Sequence, residues 1–194
     1  MRTALKAIVI GASAGGFNAL HKILPMFRAD FMLPIIVVLH RRADLESFFV
    51  KSLDDKCLLP VKEPLDKTKI EPGNIYIAPG GYHLLVEKDY HFSLSVDPPV
   101  CYCRPSIDVL FESAAEAFGT ALVGIILTGA NFDGSRGIKT IKSSGGITIA
   151  QNPDTAEVNY MPYSAIKTNS VDHILNLDEI PGLIEKLLDN KTYG

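Results

Sequence analysis

Three stretches of the chain are almost continuously apolar, and each runs into a loop of small or polar residues followed by a helical pattern. Lys6–Ile10 (KAIVI) leads into Gly11–Gly16 (GASAGG) and a helical stretch to about Met26. Ile35–Leu39 (IIVVL) ends at His40, and Asp44 is placed to cap a helix through about Lys56. Leu122–Leu127 (LVGIIL) leads into Thr128–Gly134 and a helix to about Ser144. Strands with no polar alternation are buried on both faces. Strands that alternate with helices build a doubly wound, mostly parallel sheet with helices on both faces, so the fold class is α/β. Asn74–Ala78, Ile147–Ala150 and His173–Leu175 read as shorter strands; Ser106–Phe118, capped by Ser106, Met161–Thr168 and Asp178–Leu188 read as helices. His83–Glu87 and His91–Val96 alternate and flank a Lys88-Asp89 turn, which predicts a hairpin extending the sheet in antiparallel fashion.

Composition narrows the function classes. The 194 residues carry 19 Lys+Arg against 22 Asp+Glu, a formal net charge of −3, with no basic stripe that would favour nucleic acid. The apolar runs are too short or Pro-interrupted for membrane insertion, and the N-terminus lacks a signal-peptide core. Three cysteines, Cys57, Cys101 and Cys103, are too few and odd in number for a disulfide framework. A soluble cytoplasmic domain is therefore expected, one unit over residues 1–194. Cys101-x-Cys103 has no second Cys/His pair at metal spacing, so no metal is expected.

The chemistry-bearing residues gather at strand ends. Gly11-Ala12-Ser13-Ala14-Gly15 fits G-x-S-x-G between a strand and a helix, the setting of an exposed nucleophile with backbone N–H groups beside it. The same loop is also a variant of G-x-G-x-x-G with Ser in place of the middle glycine, which leaves a nucleotide-binding loop or a plain packing turn open. His40 ends the second strand, either as a base beside Ser13 or as a cap on a carbonyl. Asp133 is the acid in the loop after LVGIIL, either orienting the imidazole or capping the next helix. Arg104 is either a substrate-orienting cation or a surface residue. His21, His83, His91 and His173, the acids Asp44, Glu46, Asp54 and Asp55, and Tyr160, Met161 and Pro162 have readier structural explanations.

Several segments in order resemble the catalytic domain of the bacterial chemotaxis protein-glutamate methylesterases, the CheB family. They are IGASAGG (10–16), VLH (38–40), PGNIYIAPG (72–80), RPSIDVLF (104–111), VGIILTGANFDG (123–134), TIAQN (148–152) and MPYSAI (161–166). The resemblance covers about Ala7 to Leu188. It implies a serine hydrolase that removes methyl esters from chemoreceptor glutamates, and in some members deamidates receptor glutamines. The triad falls on Ser13, His40 and Asp133, backbone donors on Ala14 and Ala130, and no cofactor is implied. Six positions in three places depart from the family pattern: Ala14 follows the nucleophile where Thr is usual, Leu39 and Arg41 flank the histidine in place of Gln and Met, and Ala130, Asn131 and Phe132 alter the acid's loop. The altered loop leaves a signalling or scaffold module of the same fold, with weak or no catalysis, as the alternative. Family members usually carry an N-terminal receiver domain, for which the five residues before the first strand give no room. The expectation is a lone catalytic domain that needs no phosphodonor, with any receiver acting in trans.

Overall fold

The computed structural model describes residues 4–41 and 46–189. Its main sheet has seven strands: β1 (Ala7–Ala12), β2 (Ile35–Leu39), β3 (Val61–Lys62), β4 (Ile75–Ile77), β7 (Leu122–Ile126), β8 (Ile147–Gln151) and β9 (His173–Leu175). They lie in the order β3-β4-β2-β1-β7-β8-β9, and every pairing is parallel. The remaining strands, β5 (His83–Val86) and β6 (Phe92–Ser95), pair only with each other. Among the described residues the α-helices are α1 (Gly16–Ile23), α2 (Glu46–Asp54), α3 (Ile107–Phe118), α4 (Ser135–Ser143), α5 (Tyr160–Ile166) and α6 (Ile180–Asp189). None among the described residues is long and apolar enough to cross a membrane.

The period of two along β1 separates two cores. Ile8, Ile10 and Ala12 face a cluster with Leu20 and Ile23 of α1, Phe49 and Leu53 of α2, and Ile180 and Ile184 of α6. Ala7 and Val9 face the other cluster, with Ile107, Leu110 and Phe111 of α3, Ile138 and Ile141 of α4, and Met161 of α5. Because β1 lies between β2 and β7, the chain winds to opposite sides on either side of it. That makes the C-terminal ends of β2, β1 and β7 the crevice where such sheets place their chemistry.

The hairpin does not extend the main sheet. Leu84, Val86 and Phe92 face the α3-side cluster, the Phe92 ring meets Tyr76 of β4 edge-on at 4.8 Å, and Val86 N–H donates to Ser113 Oγ of α3 at 3.1 Å. An alternating hairpin has one apolar face, and here that face lids the core rather than an edge. The sequence reading passed over β3, which is two residues long with a single buried side chain, Val61. The helix predicted from Asp44 is seen as α2 from Glu46; its cap lies outside the described residues.

The α3–α4 crossing fixes the loop that carries Asp133. A Cβ on Gly137 would come within 2.4 Å of Phe111 Cβ, an atom that cannot swing aside. Gly137→Ala should therefore cost about 1–3 kcal/mol of stability through overpacking. Gly182 in α6 has nothing within 4 Å of its Cβ position. Gly182→Ala should instead stabilise by about 0.5–1 kcal/mol through helix propensity. Chemical denaturation of the two variants checks both signs.

Candidate active site

The register brings Ser13 and His40 side by side. Ala12 pairs with Leu39, and His40 N–H donates to Ala12 O at 3.0 Å, so the next residues on each strand leave the sheet together. Ser13 N–H donates to Thr128 O at 3.0 Å, which ties the first loop to the one after β7. Thr128 continues the stitching: its Oγ1 donates to Ala14 O at 2.8 Å and accepts from Val158 N–H at 2.9 Å, and its N–H donates to Gln151 Oε1 at 2.9 Å.

The G-x-S-x-G turn is sharp because of its glycines. Gly15 adopts φ 76°, and its missing Cβ leaves room for Glu157 and Thr128; a Cβ on Gly16 would sit 2.6 Å from Leu39. The left-handed residue is Gly15 and not Ser13, so the strain of the serine in a nucleophile elbow is absent here. The N–H groups of Ala14 and Ala130 are bonded to no other described residue, and both residues are exposed.

Asp133 is fully buried and fixes the imidazole. Its Oδ2 accepts from His40 Nε2 at 2.8 Å and from Ile107 N–H at 2.7 Å; its Oδ1 accepts from Ser106 Oγ at 2.9 Å and from Asp108 N–H at 3.0 Å. The acid thus sits on the first turn of α3, where exposed N–H groups and the helix dipole favour negative charge. It is not a side-chain cap of α4, whose cap residue is Gly134 at φ 97°. Burial alone would raise the Asp133 carboxyl, but the bonds from His40 and the α3 backbone outweigh it and hold it below its ordinary 3.8. Burial likewise opposes charge on His40, yet Asp133 and Cys103 beside it push its pKa up from 6.5 to about 9. The pair therefore stabilises the fold most between the two ordinary values, about pH 4 to 6.5. That stability is lost below as Asp133 protonates and above as pH rises through about 9.

Other candidates have structural duties. Arg104 Nη1 donates to Val96 O at 2.6 Å and Asp97 O at 3.1 Å, so it staples the end of the hairpin. Buried His83 accepts from Ser106 N–H at its Nδ1 (3.2 Å), with Nε2 3.1 Å from Pro98 O. His21 is not merely solvated: it stacks on Phe17 at 4.2 Å, with Nε2 2.9 Å from Ser52 Oγ. Met161 is buried against Gly129, while Tyr160 is half exposed. The nucleotide-loop alternative meets an obstacle: the Glu157 carboxylate accepts from Asn18 Nδ2 at 3.0 Å at the start of α1, and its negative charge there would repel a phosphate. Two groups, His40–Cys103–Asp133 and Cys101–Asp108–Asp133, bring ligand-type atoms within 4.8 Å of one another. With both Asp133 oxygens committed to four donors, these are hydrogen-bond networks and not open coordination spheres.

Sequence reading missed three residues that touch this network. Cys103 Sγ lies 3.4 Å from His40 Nδ1, Asn131 Oδ1 accepts from Asp133 N–H at 2.9 Å, and Asp108 Oδ1 accepts from Gly134 and Gly137 N–H at 2.9 and 2.7 Å. Burial raises the Asp108 carboxyl to about 6, with nearby Asp133 adding to the rise. Only the acid in the first turn of a Ser-capped helix carried a sequence signal for Asp108.

The model of the family described as CheB methylesterase matches residues 8–184. The chain belongs to this family. It is 47% identical over 185 residues to a protein of Leptospira interrogans serogroup Icterohaemorrhagiae serovar copenhageni, provisionally named protein-glutamate methylesterase/protein-glutamine glutaminase; the alignment covers 95% of this chain and 96% of that one. The protein-glutamate methylesterase/protein-glutamine glutaminase of Clostridium acetobutylicum is 37% identical over 95% of this chain but 53% of its own, so this chain spans about half that relative's length. The crystal structure of the Thermotoga maritima CheB methylesterase catalytic domain superposes with a TM-score of 0.89 at 34% identity, covering 97% of this chain and all of that one. The CheB-like architecture and the expected α/β class agree.

Asp133→Ala would strand two buried N–H groups and the Ser106 hydroxyl, each unmet donor costing about 1–3 kcal/mol. A loss of roughly 3 kcal/mol or more is expected on denaturant unfolding. An effect under about 1 kcal/mol, the usual scale of a simple helix cap, would contradict this network.

Proposed function

We propose that this chain is a serine esterase that hydrolyses the methyl esters of glutamate side chains on chemoreceptor segments. The observation that carries the reading is the His40 Nε2–Asp133 Oδ2 bond of 2.8 Å, made on the strand adjacent to Ser13. Asp133 holds Nε2 and stabilises positive charge on the ring, which leaves Nδ1 to take the Ser13 proton. Ser13 Oγ attacks the ester carbonyl, and the N–H groups of Ala14 and Ala130 receive the oxyanion. His40 returns the proton to methanol as it leaves. Water, losing its proton to the same nitrogen, then hydrolyses the acyl-enzyme to free glutamate and Ser13. A glutamine amide would follow the same route with ammonia as leaving group, which suits the double name of the relatives.

Exposed aromatic side chains flank the residues of the site along the chain: Tyr102 next to Cys103, Phe132 next to Asp133, and Tyr160 beside the Met161 that packs on Gly129. Such a rim suits an ester presented on a protein surface. Methylated cytoplasmic segments of chemoreceptors are the fitting substrate, and a receiver domain in trans could cover the same rim.

Methanol release from methylated receptor fragments tests the reading. Activity should rise with pH as His40, with its pKa of about 9, gives up its proton, because only the neutral ring can act as base. Ser13→Ala should lower turnover by about a million-fold if the three residues work as a unit. Near-normal release by that variant would overturn the proposal. Asp133→Asn should cost about four decades; a loss under tenfold would remove Asp133 from the chemistry.

A further inference from the structure

A thiol sits on the one ring nitrogen that the esterase needs. Asp133 occupies His40 Nε2, and Cys103 Sγ lies 3.4 Å from Nδ1. Asn131 Nδ2 points at the same sulfur from 3.3 Å and donates to Cys101 O at 3.4 Å. The Asn131 amide and the His40 ring converge on this sulfur from two sides. A thiol held between an amide donor and an imidazole has the polar surroundings of a nucleophilic cysteine. Cys103, His40 and Asp133 form a line of nucleophile, base and orienting acid.

The backbone around this thiol is built to deliver it. Val100 and Cys103 exchange both main-chain hydrogen bonds, at 3.1 and 2.9 Å, across a two-residue turn. Both turn residues, Cys101 (φ 51°) and Tyr102 (φ 63°), are left-handed without being glycine, a conformation that carries a cost. Tyr102 is fully exposed, so its ring packing does not offset that cost. The tight turn instead places Cys103 Sγ at His40. The other two thiols have no such partner: burial pushes both Cys57 and Cys101 up to about 11.

We propose that Cys103 is a second nucleophile of this site, activated by His40, and the point at which small carbon electrophiles modify the chain. In the step, Cys103 Sγ attacks the electrophilic carbon and an S–C bond forms. The bond to the leaving group breaks, the leaving group departs with its electron pair, and the thiol proton passes to His40 Nδ1. Where Ser13 and His40 act as proposed above, the adduct lies against the nitrogen that Ser13 uses. The modification itself does not depend on Ser13.

Iodoacetamide on the folded chain, with residue-by-residue alkylation rates read by mass spectrometry at neutral pH, tests this. Cys103 should react at least about tenfold faster than Cys57 and Cys101 in the same sample. That advantage should disappear in His40→Gln and persist in Ser13→Ala, so a failure of the esterase reading would leave this result standing. Circular dichroism establishes that the His40 variant is folded; if it is not, Asn131→Leu takes its place and should slow Cys103 severalfold while leaving Cys57 unchanged. A Cys103 rate equal to that of Cys101, or an advantage that survives loss of its hydrogen-bonding partner, overturns the proposal.

Discussion

A buried carboxylate with no partners would cost several kcal/mol, and Asp133 is buried completely. It is held by two backbone N–H groups at the start of α3, by the Ser106 hydroxyl and by His40. Each of those partners depends on another part of the fold. The α3 donors are in place because α3 packs Ile107, Leu110 and Phe111 onto the face of the sheet that Ala7 and Val9 present. His40 is in place because β2 pairs with β1 in one register. The Asp133 loop is in place because Asp108 accepts from Gly134 and Gly137 and so ties the start of α4 to α3. Moving any of these would leave a buried charge or a buried donor unmet.

The topology brings three chemistry-bearing residues to one edge of the sheet. Strands β2, β1 and β7 are neighbours, and each contributes one residue at its C-terminal end: His40, Ser13 and Asp133. Adjacent strands are about 4.8 Å apart, the separation at which side chains from neighbouring loops can meet. The order of the three along the chain follows from the winding. The first crossover places β2 on one side of β1, and the later one places β7 on the other. A sheet wound differently would have scattered the same three residues.

Much of this was legible in the sequence because it rests on long apolar strands. Ile35–Leu39 and His173–Leu175 match their predicted limits, and Ser106 caps α3 as its pattern implied, accepting from Val109 N–H. The illegible parts depend on contacts between distant residues. The hairpin's apolar face reads the same whether it extends a sheet or lids a helix. Arg104 precedes a helix like a substrate-binding cation, and only the folded chain brings the carbonyls of Val96 and Asp97 to it. Cys103 is 63 positions from His40, so no spacing rule could pair them. The side on which Asp133 holds the ring, Nε2 and not Nδ1, is set by the approach of two loops and leaves no trace in residue order.

The most direct test of the His40–Asp133 clamp is the nitrogen NMR titration of the His40 ring in the folded chain. The account predicts a proton on Nε2 at all accessible pH, with Nδ1 the nitrogen that titrates and the transition near 9. A transition at the ordinary value of 6.5, or a neutral ring that carries its proton on Nδ1, would contradict it.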